Sequence, residues 1–161
     1  MKIKILPATL SDLPDIMQFI KELAAYEKML GEVSTTPQLL EKYFFSEQKC
    51  AEAIFLYEDE LKVAFAIFFP NFSTFLARPG IYLEDLYVKP EHRKKGYGKK
   101  LLSYLAHLAV ERNCGRLEWS VLNWNKPAID FYESLGSKAQ TEWTVHRMSG
   151  EQLKKLAAEN K

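Results

Sequence analysis

One segment constrains the fold of this chain more than any other, the connection Val88-Lys-Pro-Glu-His-Arg-Lys-Lys-Gly-Tyr-Gly98. It follows an apolar run that predicts a strand over Ile81–Val88 and precedes a run that predicts a helix over Tyr97–Asn113. A glycine-containing turn between a strand and a helix points backbone N–H groups outward, and the helix dipole adds partial positive charge there. The segment therefore indicates an anion site, most often for phosphate, although two glycines at a helix start also occur as simple turn chemistry.

Basic residues are concentrated around this turn. Six of the 22 lysines and arginines fall between positions 89 and 100, in a chain whose net charge is only +1. A solvated basic face is one interpretation of this cluster, and a seat for a polyanionic ligand is the other. Nucleic acid fits less well, because the segment lacks interleaved aromatic residues and a recognition helix.

A second motif follows a predicted strand over Leu117–Leu122 and reads Asn123-Trp-Asn-Lys-Pro-Ala-Ile-Asp-Phe-Tyr132. Together with Arg93-x-x-Gly96-x-Gly98, it resembles the Gcn5-related N-acetyltransferase (GNAT) superfamily. The resemblance implies the acyl-CoA N-acyltransferase fold, a mixed α/β fold with a mostly antiparallel central sheet flanked by helices. It also implies acetyl-CoA as cofactor, with coenzyme A as product. The implied cofactor contacts are Leu86, Tyr87 and Val88 on the strand, Arg93, Lys94, Lys95, Gly96, Tyr97, Gly98 and Lys99 at the turn, and Asn125, Pro127 and Ala128 beyond.

A narrower resemblance extends over nearly the whole chain. Four segments, Ile5–Thr9, Lys21–Glu27, Tyr82–Val88 and Trp124–Tyr132, are similar to the diamine (spermidine/spermine) acetyltransferase branch, which includes enzymes acting on thialysine. The resemblance implies that Tyr26 and Glu27 contact the substrate, and a carboxylate beside an aromatic ring suits a cationic chain. It also implies a small cationic amine as substrate and a homodimer, since related enzymes are typically dimers.

Acetyl transfer from a thioester to an amine needs a proton acceptor, donors for the carbonyl oxygen and a proton for the departing sulfur. The resemblance places a general acid at Tyr132, seven residues after Asn125; core packing beside Phe131 is the alternative. It places the carbonyl oxygen against backbone N–H groups of the strand 86–88, splayed away from the neighbouring strand.

Glu84 is the predicted acid–base residue for the amine. Strand alternation predicts Leu83 and Asp85 on one face and Glu84 and Leu86 on the other. Burying a carboxylate in an apolar strand costs several kcal/mol unless it is paired or solvated, so the Glu84-Asp85 pair indicates a polar cleft. Both residues are therefore candidate substrate contacts, with a structural ion pair as the alternative for Glu84.

Two further features bear on ligand binding. Glu118-Trp119 repeats the acidic–aromatic pairing and is another candidate substrate contact. Lys94 and Lys99 depart from the diamine branch, which carries glycine after the motif arginine and a small residue after the last glycine. Backbone contacts to phosphate survive such changes, because they do not depend on the side chain.

The length of 161 residues suits a single domain, 1–161, with one core. No apolar run approaches the roughly 18 residues that a membrane span needs, and Met1-Lys-Ile-Lys opens a strand rather than a signal peptide.

Cys50 and Cys114 imply no disulfide framework, so we expect free thiols and a cytoplasmic protein. The three histidines lack the spacing of metal ligands, and we expect no metal.

Hydrophobic periodicity and capping residues predict the remaining elements. The other predicted strands are Ile3–Ala8, Ala51–Tyr57, Lys62–Phe69, Ser137–Glu142 and Thr144–Met148, with a loop over Pro70–Pro79. The other predicted helices run from a Ser11 cap to Glu27, from a Thr36-Pro37 cap through Phe44, from Pro127 to Leu135, and onward from a Ser149-Gly-Glu-Gln152 capping box.

The leading hypothesis is an acetyl-CoA-dependent N-acetyltransferase. The acceptor is a primary amine of a polyamine, diamine or thialysine-like molecule, which attacks directly in a ternary complex. Acetylation of a peptide N-terminus, a lysine side chain or an amino acid is the alternative. A non-catalytic acyl-CoA-binding domain is a further alternative, against which Tyr132 and Glu84 argue because a sensor needs no general acid.

Overall fold

The computed structural model describes residues 1–160. Its contacts divide the chain into two compact units, Met1–Ser120 and a second unit that begins at Val121. The expectation of one domain over the whole chain stays a prediction, and each unit is described by itself. Within residues 1–160, no helix has the length and apolarity that crossing a membrane requires.

The first unit is built on a five-stranded sheet. Its strands lie in chain order and are β1 (Ile3–Pro7), β2 (Glu52–Glu58), β3 (Leu61–Ser73), β4 (Arg78–Val88) and β5 (Leu117–Trp119). Strands β1 to β4 pair antiparallel, whereas β5 joins β4 in parallel after a helical crossover. This architecture confirms the predicted fold class, a mixed and mostly antiparallel sheet flanked by helices.

Three helices belong to this unit: α1 (Leu13–Tyr26), α2 (Pro37–Phe45) and α3 (Tyr97–Glu111). The predicted Thr36 cap is confirmed, since its hydroxyl accepts a hydrogen bond from the Leu39 N–H at 3.3 Å. The predicted Ser11 cap is wrong. A short 3-10 turn precedes α1, and the Thr9 N–H donates to Asp12 Oδ2 at 2.6 Å, so the carboxylate of Asp12 stabilises the entry to the helix.

The core lies on both faces of the sheet. On one face, Phe19 of α1 packs against Phe55 and Phe65 of the central strands, with ring centroids 5.4 and 5.1 Å apart. The other face carries Ala64, Ala66 and Phe68 of β3, and α3 packs on it through buried leucines. A central strand buried on both faces explains why β3 reads as a continuous apolar run.

The predicted loop over Pro70–Pro79 is wrong. Strand β3 continues through Ser73 and β4 begins at Arg78, so these two residues close a long hairpin. Pairing between β2 and β3 ends at Phe68, which leaves the outer part of β3 paired with β4 alone. Proline is tolerated at such an edge, because the ladder loses no hydrogen bond on the unpaired side.

The second unit contains two helices, α4 (Lys126–Ser134) and α5 (Gly150–Ala157). The predicted strands over Ser137–Glu142 and Thr144–Met148 are wrong, since residues 137–148 contain no strand. Strand β5 is also shorter than predicted and ends at Trp119 rather than Leu122. Alternating apolar residues form a strand only where a partner strand pairs with them, and residues 137–148 are largely exposed.

Candidate active site

Strand β4 is paired on both sides in its first half and on one side only in its second half. Strand β5 pairs only with Ile81–Leu83, while β4 itself runs on to Val88. Within residues 1–160, no strand pairs with the β5-side edge of β4 beyond Leu83. Along Glu84–Val88, this edge of β4 therefore lies outside the strand ladder, and we refer to it as the open edge; its splaying and its contacts with a ligand stay predictions.

A β-bulge lies at the point where the edge opens. Asp85 pairs with Ile67 and Leu83 with Phe68, so Glu84 has no partner in the β3–β4 register. Residues that pair across antiparallel strands lie on the same face of the sheet. Leu83 pairs with Phe68 and Leu86 with Ala66, and these two partners share a face because they are two residues apart on β3. The predicted alternation is therefore wrong: Leu83 and Leu86 share one face, and Asp85 lies on the other. An extra residue in one strand shifts the alternation of its side chains between the two faces by one position. Such bulges are frequent beside active sites.

Three carboxylates meet at this bulge. Burial, together with the nearby charges of Glu84 and Glu27, raises the pKa of Asp85 to about 7. Burial also raises the pKa of Glu27, whereas the Glu84 side chain is exposed. We refer to Glu27, Glu84 and Asp85 as the acidic cluster. The fold thus brings the predicted candidate Glu27 within electrostatic reach of Asp85, which adjoins Glu84 in the strand.

The end of α1 places Tyr26 and Glu27 at the cluster. The chain turns at Lys28 through a left-handed conformation with φ of 62°. The Met29 N–H donates to Ala24 O at 2.8 Å, and the Lys28 N–H donates to Ala25 O at 3.1 Å. This is the Schellman pattern of a helix C-terminus, which fixes the direction of the last helical side chains.

The turn between β4 and α3 has the geometry of an anion site. Lys94 and Gly96 both take left-handed conformations, with φ of 62° and 78°. The helix ladder begins with the Lys100 N–H, which donates to Gly96 O at 3.1 Å. The amides of Tyr97, Gly98 and Lys99 precede that first bond, so they have no acceptor within the helix. Outward N–H groups and the helix dipole favour a bound anion here.

Arg93 connects this turn to the end of α1. Its Nε donates to Val88 O at 2.9 Å, and its guanidinium carbon lies 4.6 Å from the ring centroid of Tyr26. The same carbon lies 5.5 Å from the ring centroid of Tyr87. A predicted cofactor residue and a predicted substrate residue are therefore in direct contact.

Some of the basic side chains are already engaged by the protein. Lys95 Nζ lies 2.8 Å from Glu58 Oε1, and Lys89 Nζ lies 5.0 Å from the centroid of the buried Phe19 ring. Lys94 and Lys99 are exposed. The backbone of the turn, more than its lysine side chains, thus offers donors directed at one place. Glu58 was not identified from the sequence, because a hairpin glutamate carries no local signal of a distant partner.

Glu118 and Trp119 lie on β5, opposite the closed half of β4. Glu118 pairs with Tyr82 in the parallel register, and Trp119 pairs with Leu83. The Glu118 carboxylate forms an ion pair with Arg116 and accepts a hydrogen bond from Asn71 Nδ2 at 3.3 Å. Its charge is therefore compensated locally.

The remaining candidates lie in the second unit. Asn125 is 8% exposed and caps α4, and its Oδ1 accepts a hydrogen bond from the Ala128 N–H at 3.4 Å. Pro127 lies in the first turn of this helix. Tyr132 lies on α4 with its ring centroid 5.3 Å from that of Phe131. The seven-residue spacing places Asn125 and Tyr132 on one face of the helix.

The fold is that of the GNAT acetyltransferases. The sequence matches the Acetyltransferase (GNAT) family over residues 17–137, which is most of its length, and the chain belongs to this family. The resemblance noted in the sequence is therefore confirmed, and the chain is an N-acetyltransferase enzyme.

Two named enzymes and one solved structure are similar to this chain. The chain is 36% identical to thialysine N-epsilon-acetyltransferase of Bos taurus over 157 residues, covering 91% of this chain and 92% of the relative. It is 42% identical over 98 residues to L-ornithine N5-acetyltransferase NATA1 of Arabidopsis thaliana, covering 61% of this chain but only 43% of that protein. Among solved structures, an integron cassette protein from the mobile metagenome of V. cholerae is similar, with a TM-score of 0.82, 30% identity and 98% coverage of both chains.

Proposed function

We propose that this enzyme transfers the acetyl group of acetyl-CoA to a terminal amino group of a small aminoalkyl substrate of the thialysine type. The amine attacks directly, with both substrates bound. The acidic cluster is the observation that carries this proposal, because its three carboxylates interact electrostatically beside the half of β4 that leads into the anion-site turn. A cationic amine and a polyanionic coenzyme need these two environments side by side.

The residues present fit acetyl-CoA, which supplies the activated acetyl thioester when bound. Amides at the start of α3 and at Gly96 would hold its phosphates, and neighbouring lysines add positive charge. The open edge at Leu86–Val88 offers backbone N–H donors for the acetyl carbonyl oxygen. Donors fixed in a strand need no reorganisation as negative charge develops on that oxygen.

The amine must lose a proton before it attacks. With a lysine-like pKa near 10.4, only about one amine in a thousand is neutral at pH 7. Asp85 is suited to accept this proton because its pKa of about 7 lies close to the working pH. The acid–base role expected for Glu84 stays a prediction; its exposed side chain also suits the task of attracting the ammonium group from solvent.

Tyr132 is proposed to protonate the departing sulfur. It lies on α4, one face of which also carries Asn125 at the helix start. The cap bond between Asn125 and Ala128 holds the first turn of this helix in place.

Removing only the tyrosine hydroxyl tests this assignment. We expect Tyr132→Phe to lower kcat by about 10²- to 10⁴-fold, because general acid catalysis contributes that much, while acetyl-CoA affinity and folding change little. Steady-state kinetics and calorimetry of the same preparation provide the measurement. Full activity of the variant at pH 7 would assign Tyr132 to packing instead.

The names of the relatives favour an amino acid with a terminal amine. One is named for the N-epsilon group of thialysine and the other for N5 of ornithine. A polyamine or diamine is the second candidate, because the acidic cluster also suits a second positive charge. Charge-assisted hydrogen bonds contribute roughly 1.5–3 kcal/mol each, so such a charge should lower KM about ten- to a hundredfold.

Thiol release from acetyl-CoA in the presence of an amine panel tests the proposed function. The panel contains thialysine, ornithine, spermidine, putrescine, a monoamine of matched length and a peptide with a free N-terminus. We expect the highest kcat/KM for thialysine or ornithine. A preference for the peptide would favour the alternative N-terminal activity, and binding of acetyl-CoA without turnover on any amine would favour a non-catalytic domain. The use of acetyl-CoA, a homodimer and a cytoplasmic location remain part of this proposal.

A further inference from the structure

Glu58 lies outside the proposed binding residues but contacts the β4–α3 turn through its side chain. It is the last residue of β2, and its side chain is only 12% exposed. One carboxylate oxygen accepts a hydrogen bond from His92 Nδ1 at 2.6 Å, and the other accepts one from Lys95 Nζ at 2.8 Å. Both donors belong to the β4–α3 turn, so a single carboxylate holds that turn at two points.

The position of Glu58 is itself fixed by the sheet. Its backbone pairs with Ile3 of β1 on one side and with Leu61 of β3 on the other. The next residue, Asp59, exchanges hydrogen bonds with Lys2: its N–H donates to Lys2 O at 2.8 Å, and its Oδ1 accepts from the Lys2 N–H at 2.7 Å. Glu58 therefore connects a rigid hairpin to a turn that contains two left-handed residues.

We propose that Glu58 is a positioning residue, which holds Lys95 and His92 so that the backbone amides of the turn are preorganised for the coenzyme phosphates. This inference rests on the proposed use of acetyl-CoA. It assigns Lys95 a structural task, because its ammonium is paired with Glu58 rather than directed at a ligand. The ion pair persists across the working pH range, since Lys95 and His92 lower the pKa of Glu58 to about 2.

A direct electrostatic role of Lys95 in phosphate binding predicts a different effect of the Glu58 substitution on acetyl-CoA affinity. If Lys95 bound phosphate directly and Glu58 competed for it, neutralising Glu58 would tighten acetyl-CoA binding, and neutralising Lys95 would weaken it. If the pair instead orders the turn, breaking it from either side weakens binding. Glu58→Gln and Lys95→Gln change the net charge in opposite directions, so together they separate the two roles.

Calorimetry with acetyl-CoA is the test. We expect the Kd to rise about two- to fivefold in each single variant, which is the scale of a partly exposed ion pair. We expect little further change in Glu58→Gln/Lys95→Gln, because the second substitution finds the pair already broken. In Glu58→Gln, the kcat at saturating acetyl-CoA should stay close to that of the unmodified enzyme, since the reacting atoms are not touched.

Glu52→Gln is the matched control. Glu52 begins the same strand and forms a two-point ion pair with Arg112 after the other end of α3, with N–O distances of 2.6 and 3.0 Å. Arg112 is the residue that follows α3, so this ion pair holds the same helix at the end far from the β4–α3 turn. Its loss should lower stability without changing the acetyl-CoA Kd.

Amide hydrogen exchange of the coenzyme-free enzyme supplies a second readout. Glu58→Gln should accelerate exchange in the turn, residues 89–99, relative to Glu52→Gln. Unchanged exchange there, or tighter acetyl-CoA binding by Glu58→Gln, would overturn the positioning role. If the unmodified enzyme bound no acetyl-CoA, the proposed function would fail and this inference with it; normal binding by the unmodified enzyme and by Glu58→Gln would overturn the inference alone.

Discussion

The two halves of β4 share one strand but differ in almost every physical respect. The half with Ile81 and Leu83 is buried and is paired on both sides, by β3 and by β5. The half from Glu84 to Val88 begins with a bulge, carries two carboxylates and is paired on one side only. The first half stabilises the sheet, and the second half is the part that we propose to contact ligands.

The difference shows how one strand serves both stability and chemistry. The closed half satisfies its backbone groups internally, so it needs no ligand. The open half leaves backbone groups outside the strand ladder and carries a partly buried carboxyl group, whose charged form is costly without a binding partner. Substitutions in the closed half should therefore affect stability, and substitutions in the open half should affect activity.

The largest expected effect is at Asp85, in the open half. Asp85→Asn removes the proposed proton acceptor, and we expect kcat/KM to fall by about 100-fold at pH 7.5. In the unmodified enzyme, the rate should decline below pH about 7, as Asp85 becomes protonated. Asp85→Glu, which keeps a carboxyl group, should recover part of the rate. A pH profile and rate of Asp85→Asn like those of the unmodified enzyme would exclude Asp85 from proton transfer.

The same substitution should increase stability at high pH. The folded chain retains the Asp85 proton up to about pH 7, whereas an ordinary aspartate, with a pKa of 3.8, has lost it. Stability therefore falls as the pH rises from about 4 to about 7, because the folded state binds the extra proton in this window. We expect Asp85→Asn to exceed the unmodified enzyme by about 1–3 kcal/mol near pH 8 and to match it near pH 4, measured by urea unfolding.

The next effect is expected at Gly80, beside the closed half. A Cβ atom there would meet the Asn71 side chain and would lie 3.2 Å from the backbone oxygen of Arg116. Gly80→Ala should therefore cost about 1–3 kcal/mol of unfolding free energy, as overpacking does. The folded variant should keep its kcat, which would separate the two halves experimentally. A large loss of kcat without loss of stability would contradict this division of roles.

The smallest expected effect is at Lys94, in the turn that follows the open half. Its φ of 62° suits glycine, the residue that the diamine branch carries there. Lys94→Gly should raise the unfolding free energy by about 0.5–1 kcal/mol, because it relieves a left-handed conformation, partly offset by the flexibility of glycine. The melting temperature should rise by about 2 °C. A lower melting temperature would show that the lysine side chain itself stabilises the turn.

The sequence predicted what local patterns determine. The glycine turn, the helix that follows it and the Thr36 cap were predicted from neighbouring residues, and the structure has all three. The resemblance also predicted Glu27 as a substrate contact, and the carboxylates of an otherwise apolar strand predicted Glu84 as an acid–base residue. The roles of the individual side chains stay predictions.

Apart from the Ser11 cap, the errors share a physical cause, which is dependence on distant partners. The bulge at Glu84 exists only in the register between β3 and β4, so strand alternation read from one strand missed it. The two strands predicted within residues 137–148 lacked a partner to pair with. Glu58 likewise gains its importance from His92 and Lys95, more than thirty residues away.

The open edge of β4 has a consequence for solubility. An unpaired strand edge is a template for another extended chain, and proteins protect such edges with short lengths, bulges and charged residues. Here the bulge at Glu84 and the carboxylates of Glu84 and Asp85 stand at the point where the edge begins. The groups that we propose to attract an ammonium ion would therefore also discourage strand-to-strand aggregation, so neutralising both of them would remove that protection along with the binding site.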